Sequence, residues 1–199
     1  MSPRTPIVDP SGYYRRDDRP SLGFAAGLVT LEAVLTSVLT WWFVSRVLAQ
    51  IEFTDAERQA VNSELSGLYF FIFLGIFFGW LLLAAIFHAF MWFADAEQGF
   101  GATLAVVGES SIVSIVMMPL VVFGFVLLLG RVPSEPNAAL EFIQQVNNRR
   151  TGVLLIVGLL RVLWVGVVQA VGLSEIHDIT LGKTLLVTVG LGFLFFLIG

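Results

Sequence analysis

Glu32 and Arg161 are charged side chains set inside long apolar runs, and an ionisable group inside a membrane span is a functional candidate by default. Arginine cannot shed its charge. At the centre of a spanning helix it costs roughly 2.5–3.5 kcal/mol on insertion scales. Arg161 lies about nine residues into the run 152–173, and Glu32 about ten residues into the run 22–49. Both depths are near the middle of the apolar core. Glu32, Thr36 and Thr40 share one helical face; Gly158, Arg161, Val165, Gln169 and Gly172 share another. Two polar stripes at matching depth predict helices that face each other. A Glu32–Arg161 pair would remove most of the cost of each charge and add charge-assisted hydrogen bonds. Such a pair has two readings: a brace that sets helix register, or a polar centre for relay or transport.

His88, Glu109 and Gln169 form a second tier of intramembrane polar residues. His88 and Glu109 lie nearer one face, with Asp95, Glu97, His177 and Asp178 in the adjoining loops. Two histidines and several carboxylates suit a metal chemically. These donors are scattered over three segments without paired-histidine spacing, so no metal and no cofactor is expected. Glu109 with Ser110, Ser111 and Ser114 makes a polar patch expected to satisfy itself against neighbouring helices. The chain has no cysteine, which excludes disulfides, thiolate ligands and a thiol nucleophile. No phosphate-cradling glycine loop, nucleophile elbow or dinucleotide fingerprint occurs, and the expectation is a protein without enzymatic activity. Without a basic patch, nucleic acid is not an expected partner.

The elements that position these residues follow from hydropathy. The chain is 57% hydrophobic and 13% charged, with 18 Phe and 5 Trp, and has a mean hydropathy of +0.87. Soluble domains carry about a quarter of charged residues, so the lipid bilayer is the solvent here. Continuous apolar runs cover about 22–49, 67–93, 103–129, 152–173 and 182–199. About 20 helical residues cross the ~30 Å hydrocarbon core, and a membrane barrel would alternate in segments of about ten instead. The predicted fold is all-α: an integral membrane bundle of five transmembrane helices over residues 21–199. Residues 1–20, with Pro3, Pro6, Pro10 and Pro20 and no apolar periodicity, predict a disordered polar tail. Thr54 and Glu57 have capping-box spacing, which predicts a helical turn in the first loop. Ala139, Leu140, Phe142, Ile143 and Val146 predict a short surface helix after Pro136. Gly108 and Pro119 can bend the third helix. Gly75 and Gly79 allow close approach within the bundle, to a membrane partner or to a second copy. Basic residues divide evenly between the two sides. Orientation therefore rests on Arg4, Arg15, Arg16 and Arg19 of the tail, which place the N-terminus in the cytoplasm.

Two stretches carry a family resemblance. One is "GFGATLAVVGESSIVSIVMMPL" (99–120), a glycine-rich turn into a helix with small and polar residues, ending near Pro119. The other is "LWVGVVQAVGLSEIHDITLGKTLLV" (163–187), with Trp164, Gly172, Leu173, His177, Thr180 and Lys183 at matching positions. Together they resemble the Yip1 domain family over about residues 25–199. The resemblance implies five-helix architecture and a non-enzymatic, membrane-organising or scaffold role. Eukaryotic members of that family bind small GTPases and carry an Asp-Leu-Tyr-Gly-Pro stretch before the first helix. The tail "PSGYYRRDDRPSLGF" lacks that stretch and is similar instead to prokaryotic members, in a prokaryotic cell membrane, so GTPase binding is not carried over. The alternative is a small transporter or channel subunit built on Glu32 and Arg161. A water-accessible cavity reaching Arg161 would favour that alternative, and a dry, tightly packed pair the scaffold.

Overall fold

The computed structural model describes residues 5–16, 20–94, 99–139, 141–142 and 152–198. Its helices are α1 (Pro10–Tyr14), α2 (Leu22–Gln50), α3 (Asp55–Trp92), α4 (Phe100–Glu109), α5 (Ser111–Leu129), α6 (Val153–His177) and α7 (Leu181–Ile198). Four segments are long and apolar enough to cross a membrane: Leu22–Gln50, Gly67–Trp92, Phe100–Leu129 and Val153–His177. The fifth, α7, has 18 residues, or about 27 Å of helix at 1.5 Å per residue. The surface of this bundle is greasy. Phe71 is 70% exposed and Leu186 77%, a state that water would punish and lipid chains accept. The protein is a multi-pass integral membrane protein with an all-helical fold.

Three boundaries differ from expectation, each for a local reason. The first loop is much shorter than its polar sequence suggests, because α3 already begins at Asp55. The capping box forms as predicted: the Thr54 side chain accepts from the Glu57 N–H, and Glu57 Oε2 accepts from the Thr54 N–H at 2.9 Å. The helix it starts continues into the membrane. The third apolar run is two helices, α4 and α5, and the break falls at Ser110. Ser110 Oγ donates to the Val107 carbonyl at 2.6 Å and competes with the backbone there. Pro119 sits inside α5 without ending it.

The third difference is the N-terminal segment. Residues 5–16 are not a loose tail: Asp9 caps α1, and Tyr13 and Tyr14 are 4% and 3% exposed. Their rings meet edge to face at 5.1 Å, and both belong to the main core with Val106, Leu173 and Ile179. Arg15 forks onto Glu175 of α6 with Nε–Oε2 and Nη2–Oε1 distances of 2.8 and 2.9 Å, and Ser11 donates to the same carboxylate at 2.5 Å. The Glu175 carboxylate holds the Arg15 guanidinium above its ordinary value. Two aromatic rings outweigh the polar composition that surrounds them.

α6 and α7 form the most extensive helix pair, α2 packs on α3, α4 and α5, and α5 packs on α6. Gly108 is where α2, α3 and α4 meet: a Cβ there would lie 2.8 Å from Ala25 Cβ and 2.9 Å from Trp80 Nε1. At the opposite end, Val47, Ile51 and Ala139 form a small second core, and the Glu52 N–H donates to the Ser134 carbonyl at 3.1 Å. The predicted helix after Pro136 is present at residues 136–139 and 141–142; Leu140, Ile143 and Val146 lie outside the described residues. Glu135 starts it, accepting from the Ala138 and Asn137 N–H groups at 2.7 and 3.1 Å, and these bonds hold its carboxyl below the usual range.

Thr54→Ala is expected to loosen the first turn of α3 by about 1 kcal/mol, a typical capping loss, read as faster amide exchange at residues 55–58. The Thr54 hydroxyl and N–H hold the Glu57 carboxyl below 4.5. A lowered folded-state pKa stabilises above the unfolded value and is lost as pH falls through the lower one. The protection factor at this turn in wild type should therefore fall on acidification below about pH 4.5, and in Thr54→Ala it should fall less. Equal pH dependence in both proteins would refute the coupling.

Candidate functional site

α2 carries Glu32 and α6 carries Arg161, and the predicted pair forms: Arg161 Nη2 donates to Glu32 Oε1 at 2.8 Å. The helices themselves do not pack closely, contrary to the facing-stripe expectation. α4 and α5 mediate between α2 and α6, and the long arginine side chain spans the gap. α5 supplies a third member, since Arg161 Nε donates to Ser114 Oγ at 2.8 Å. Glu32 is buried at 8% exposure, whereas the Arg161 side chain is 52% exposed. Two turns along α6, Gln169 Nε2 donates to Ser110 Oγ at 2.9 Å. The break between α4 and α5 thus turns a serine toward α6, and Gln169 occupies it.

Arg161 is exposed because it faces a cavity of about 400 Å³. Glu32, Ser110, Ser111, Ser114, Arg161 and Gln169 form its polar wall. The opposite wall is α3, with Ile76, Gly79, Trp80, Leu82, Leu83 and Ile86, and Phe195 of α7 stands at the side. α3 is the least embedded of the spanning helices, with 11% of its spanning window buried. Trp80 pins it to α4, donating Nε1–H to the Leu104 carbonyl at 2.8 Å. A second cavity of about 340 Å³ shares Leu83, Arg161, Val165, Gln169 and Phe195 with the first. The cleft is lined by apolar side chains of α3 and by hydrogen-bonding groups of α2, α5 and α6.

The second-tier residues serve other ends. Glu109 is fully buried, and its Oε1 accepts from the backbone N–H of Ser21 at 2.7 Å. Ser21 is the N-cap of α2, so the carboxylate lies at the positive end of that helix, where it is stabilising. His88 and His177 are joined through a residue that sequence spacing never singled out. Thr103 Oγ1 lies 3.1 Å from His88 Nδ1 and 2.8 Å from His177 Nε2. One hydroxyl proton cannot serve both rings, so when Thr103 donates to one ring, the other donates to it. His177 Nδ1 is buried without a hydrogen-bond partner among the described residues. Among those residues no group of three or more His, Asp or Glu could hold a metal; Asp95 and Glu97 lie outside them.

The motif residues of the last hairpin have visible reasons. Gly172 lies against Tyr14, where a Cβ would approach Val106 Cγ1 to 2.6 Å and Tyr14 Cε2 to 2.8 Å. Leu173 is fully buried. The Thr180 carbonyl accepts from Lys183 at 3.0 Å as α7 begins. Trp164 and Pro119 are exposed on the outer surface.

Fold and site together define a multi-pass helical membrane protein with a charge pair at the edge of an intramembrane cleft. The Yip1 domain family model matches residues 6–199, and the chain belongs to that family. No curated protein and no solved structure matches it.

Proposed function

We propose that this Yip1-family protein has a non-enzymatic, membrane-organising role, exerted by holding a small guest in the cleft between α3, α6 and α7. The observation that carries this is the 400 Å³ cavity reaching a half-exposed Arg161. A pair that only set helix register would be closed over, as Glu109 is. Catalysis is disfavoured because the one hydroxyl between imidazoles, Thr103, is fully buried, out of a substrate's reach. The cytoplasmic N-terminus and a prokaryotic cell membrane remain the setting we propose. The open face at Gly75, where a Cβ would meet nothing within 4 Å, is the place for a membrane partner or second copy, whereas Gly79 lines the cleft.

The absence of native cysteine makes the test direct. Ser111→Cys in bilayers should react with a lipid-soluble maleimide, while Val113→Cys, at a fully buried position, should not. Equal inertness of both would mean a closed pair and a scaffold built on packing alone. Transport is the second reading, favoured by the two cavities meeting at Arg161 and Gln169. Under it, a charged, impermeant thiol reagent also reaches Ser111→Cys from one side of the membrane.

A further inference from the structure

We infer that the cleft takes an uncharged amphiphile whose head carries both carbonyl and hydroxyl oxygens, the chemistry of an acylglycerol. This rests on the cleft being a binding site, as proposed above. Hydrogen-bond capacity is the first argument. A guanidinium has five N–H donors. Arg161 commits two, to Ser114 and Glu32, and three have no acceptor among the described residues. Ser111, at 9% exposure and on the cavity wall, has no hydrogen-bond partner among them either. Ser114 accepts from Arg161, and its own O–H has no acceptor among them. Glu32 Oε1 is taken, while Oε2 has no donor among them. The polar wall thus offers several donors and one strong acceptor, which a carbonyl and a hydroxyl would answer.

Charge is the second argument. Arg161 and Glu32 neutralise each other at 2.8 Å, so an entering anion or cation finds no net counter-charge. Burying it would then cost desolvation without return. Shape is the third. Ile76, Leu82, Leu83, Ile86 and Phe195 give the guest's body apolar contact. The cavity lies within the span, so the guest enters sideways from the bilayer.

The test uses the full-length protein in phosphatidylcholine nanodiscs with two photoreactive probes of equal chain length: a diazirine-tailed diacylglycerol and a diazirine-tailed fatty acid. Wild type should crosslink the diacylglycerol on α3 or at Phe195 at least about tenfold more than the fatty acid. That ratio corresponds to about 1.4 kcal/mol. Glu32→Gln leaves Arg161 unneutralised and should invert the preference toward the fatty acid. Gly79→Leu puts a side chain into open space at the cavity wall and should abolish labelling by both probes while the protein stays folded. A wild-type preference for the fatty acid overturns the assignment of ligand class but leaves the binding site standing. If neither probe labels the cleft, the binding site itself is wrong. An unchanged preference in folded Glu32→Gln overturns the charge argument.

Discussion

Glu32→Leu is expected to cost about 3 kcal/mol of stability, and adding Arg161→Leu to recover most of it. The single substitution strands a guanidinium inside a membrane span, worth roughly 2.5–3.5 kcal/mol on insertion scales. Removing one partner of a buried pair falls in a similar range of about 3–5 kcal/mol. The lower figure is the better one, because Arg161 keeps Ser114 and its side chain is already 52% exposed to the cleft. Arg161→Leu alone should also destabilise, by about 1–3 kcal/mol, the range for leaving a buried polar group unsatisfied, because it strands Glu32 at 8% exposure. With both leucines no charge remains, and the double variant should lie within about 1 kcal/mol of wild type. Equilibrium unfolding in mixed micelles across the four proteins measures the coupling. A double variant at least as unstable as Glu32→Leu would mean that the pair carries no interaction energy.

Gly172→Ala is expected to release the N-terminal segment without unfolding the bundle. The added methyl would fall 2.6 Å from Val106 Cγ1 and 2.8 Å from Tyr14 Cε2. Of these neighbours α1 is the one that can leave, since Val106 is held within α4. Overpacking of this kind costs about 1–3 kcal/mol, and undocking of residues 5–16 limits the loss. Tyr14→Ala should act the same way from the other side, removing a ring that is 3% exposed and costing about 3 kcal/mol, the low end for a buried aromatic, because undocking limits the loss. Trypsin cleavage after Arg15 reports the undocked population when opening is fast. It should rise at least about tenfold in both variants, which corresponds to about 1.4 kcal/mol. Gly182→Ala is the control, because nothing lies within 4 Å of its Cβ position. Unchanged cleavage in Gly172→Ala, with the rest of the bundle intact, would show that Tyr14 is not held by this contact.

Much of this protein was legible from hydropathy and spacing. Long apolar runs determine spanning helices because a bilayer leaves the backbone no other way to satisfy its polar groups. A charge in such a run determines that a partner exists, and equal depth pointed to Glu32 and Arg161. The Thr54–Glu57 capping box was also readable, since both members lie on one turn. The rest needed the tertiary structure, because it depends on which surfaces meet. The facing of α2 and α6 was inferred from stripes, but α4 and α5 come between them and an arginine long enough to span the gap makes the contact. Thr103 carries no signal in sequence; it bridges two histidines because α3, α4 and α6 converge there. Tyr13 and Tyr14 read as tail because burial of two rings in the core, Tyr14 against Gly172, is invisible in a short polar segment. Above all, the cleft exists because α3 packs on α2 and α4 but not closely on α6, and a gap between helices is a property of their packing. Sequence determined the span, the charge pair and the family; only tertiary packing decided that the pair faces an open cavity.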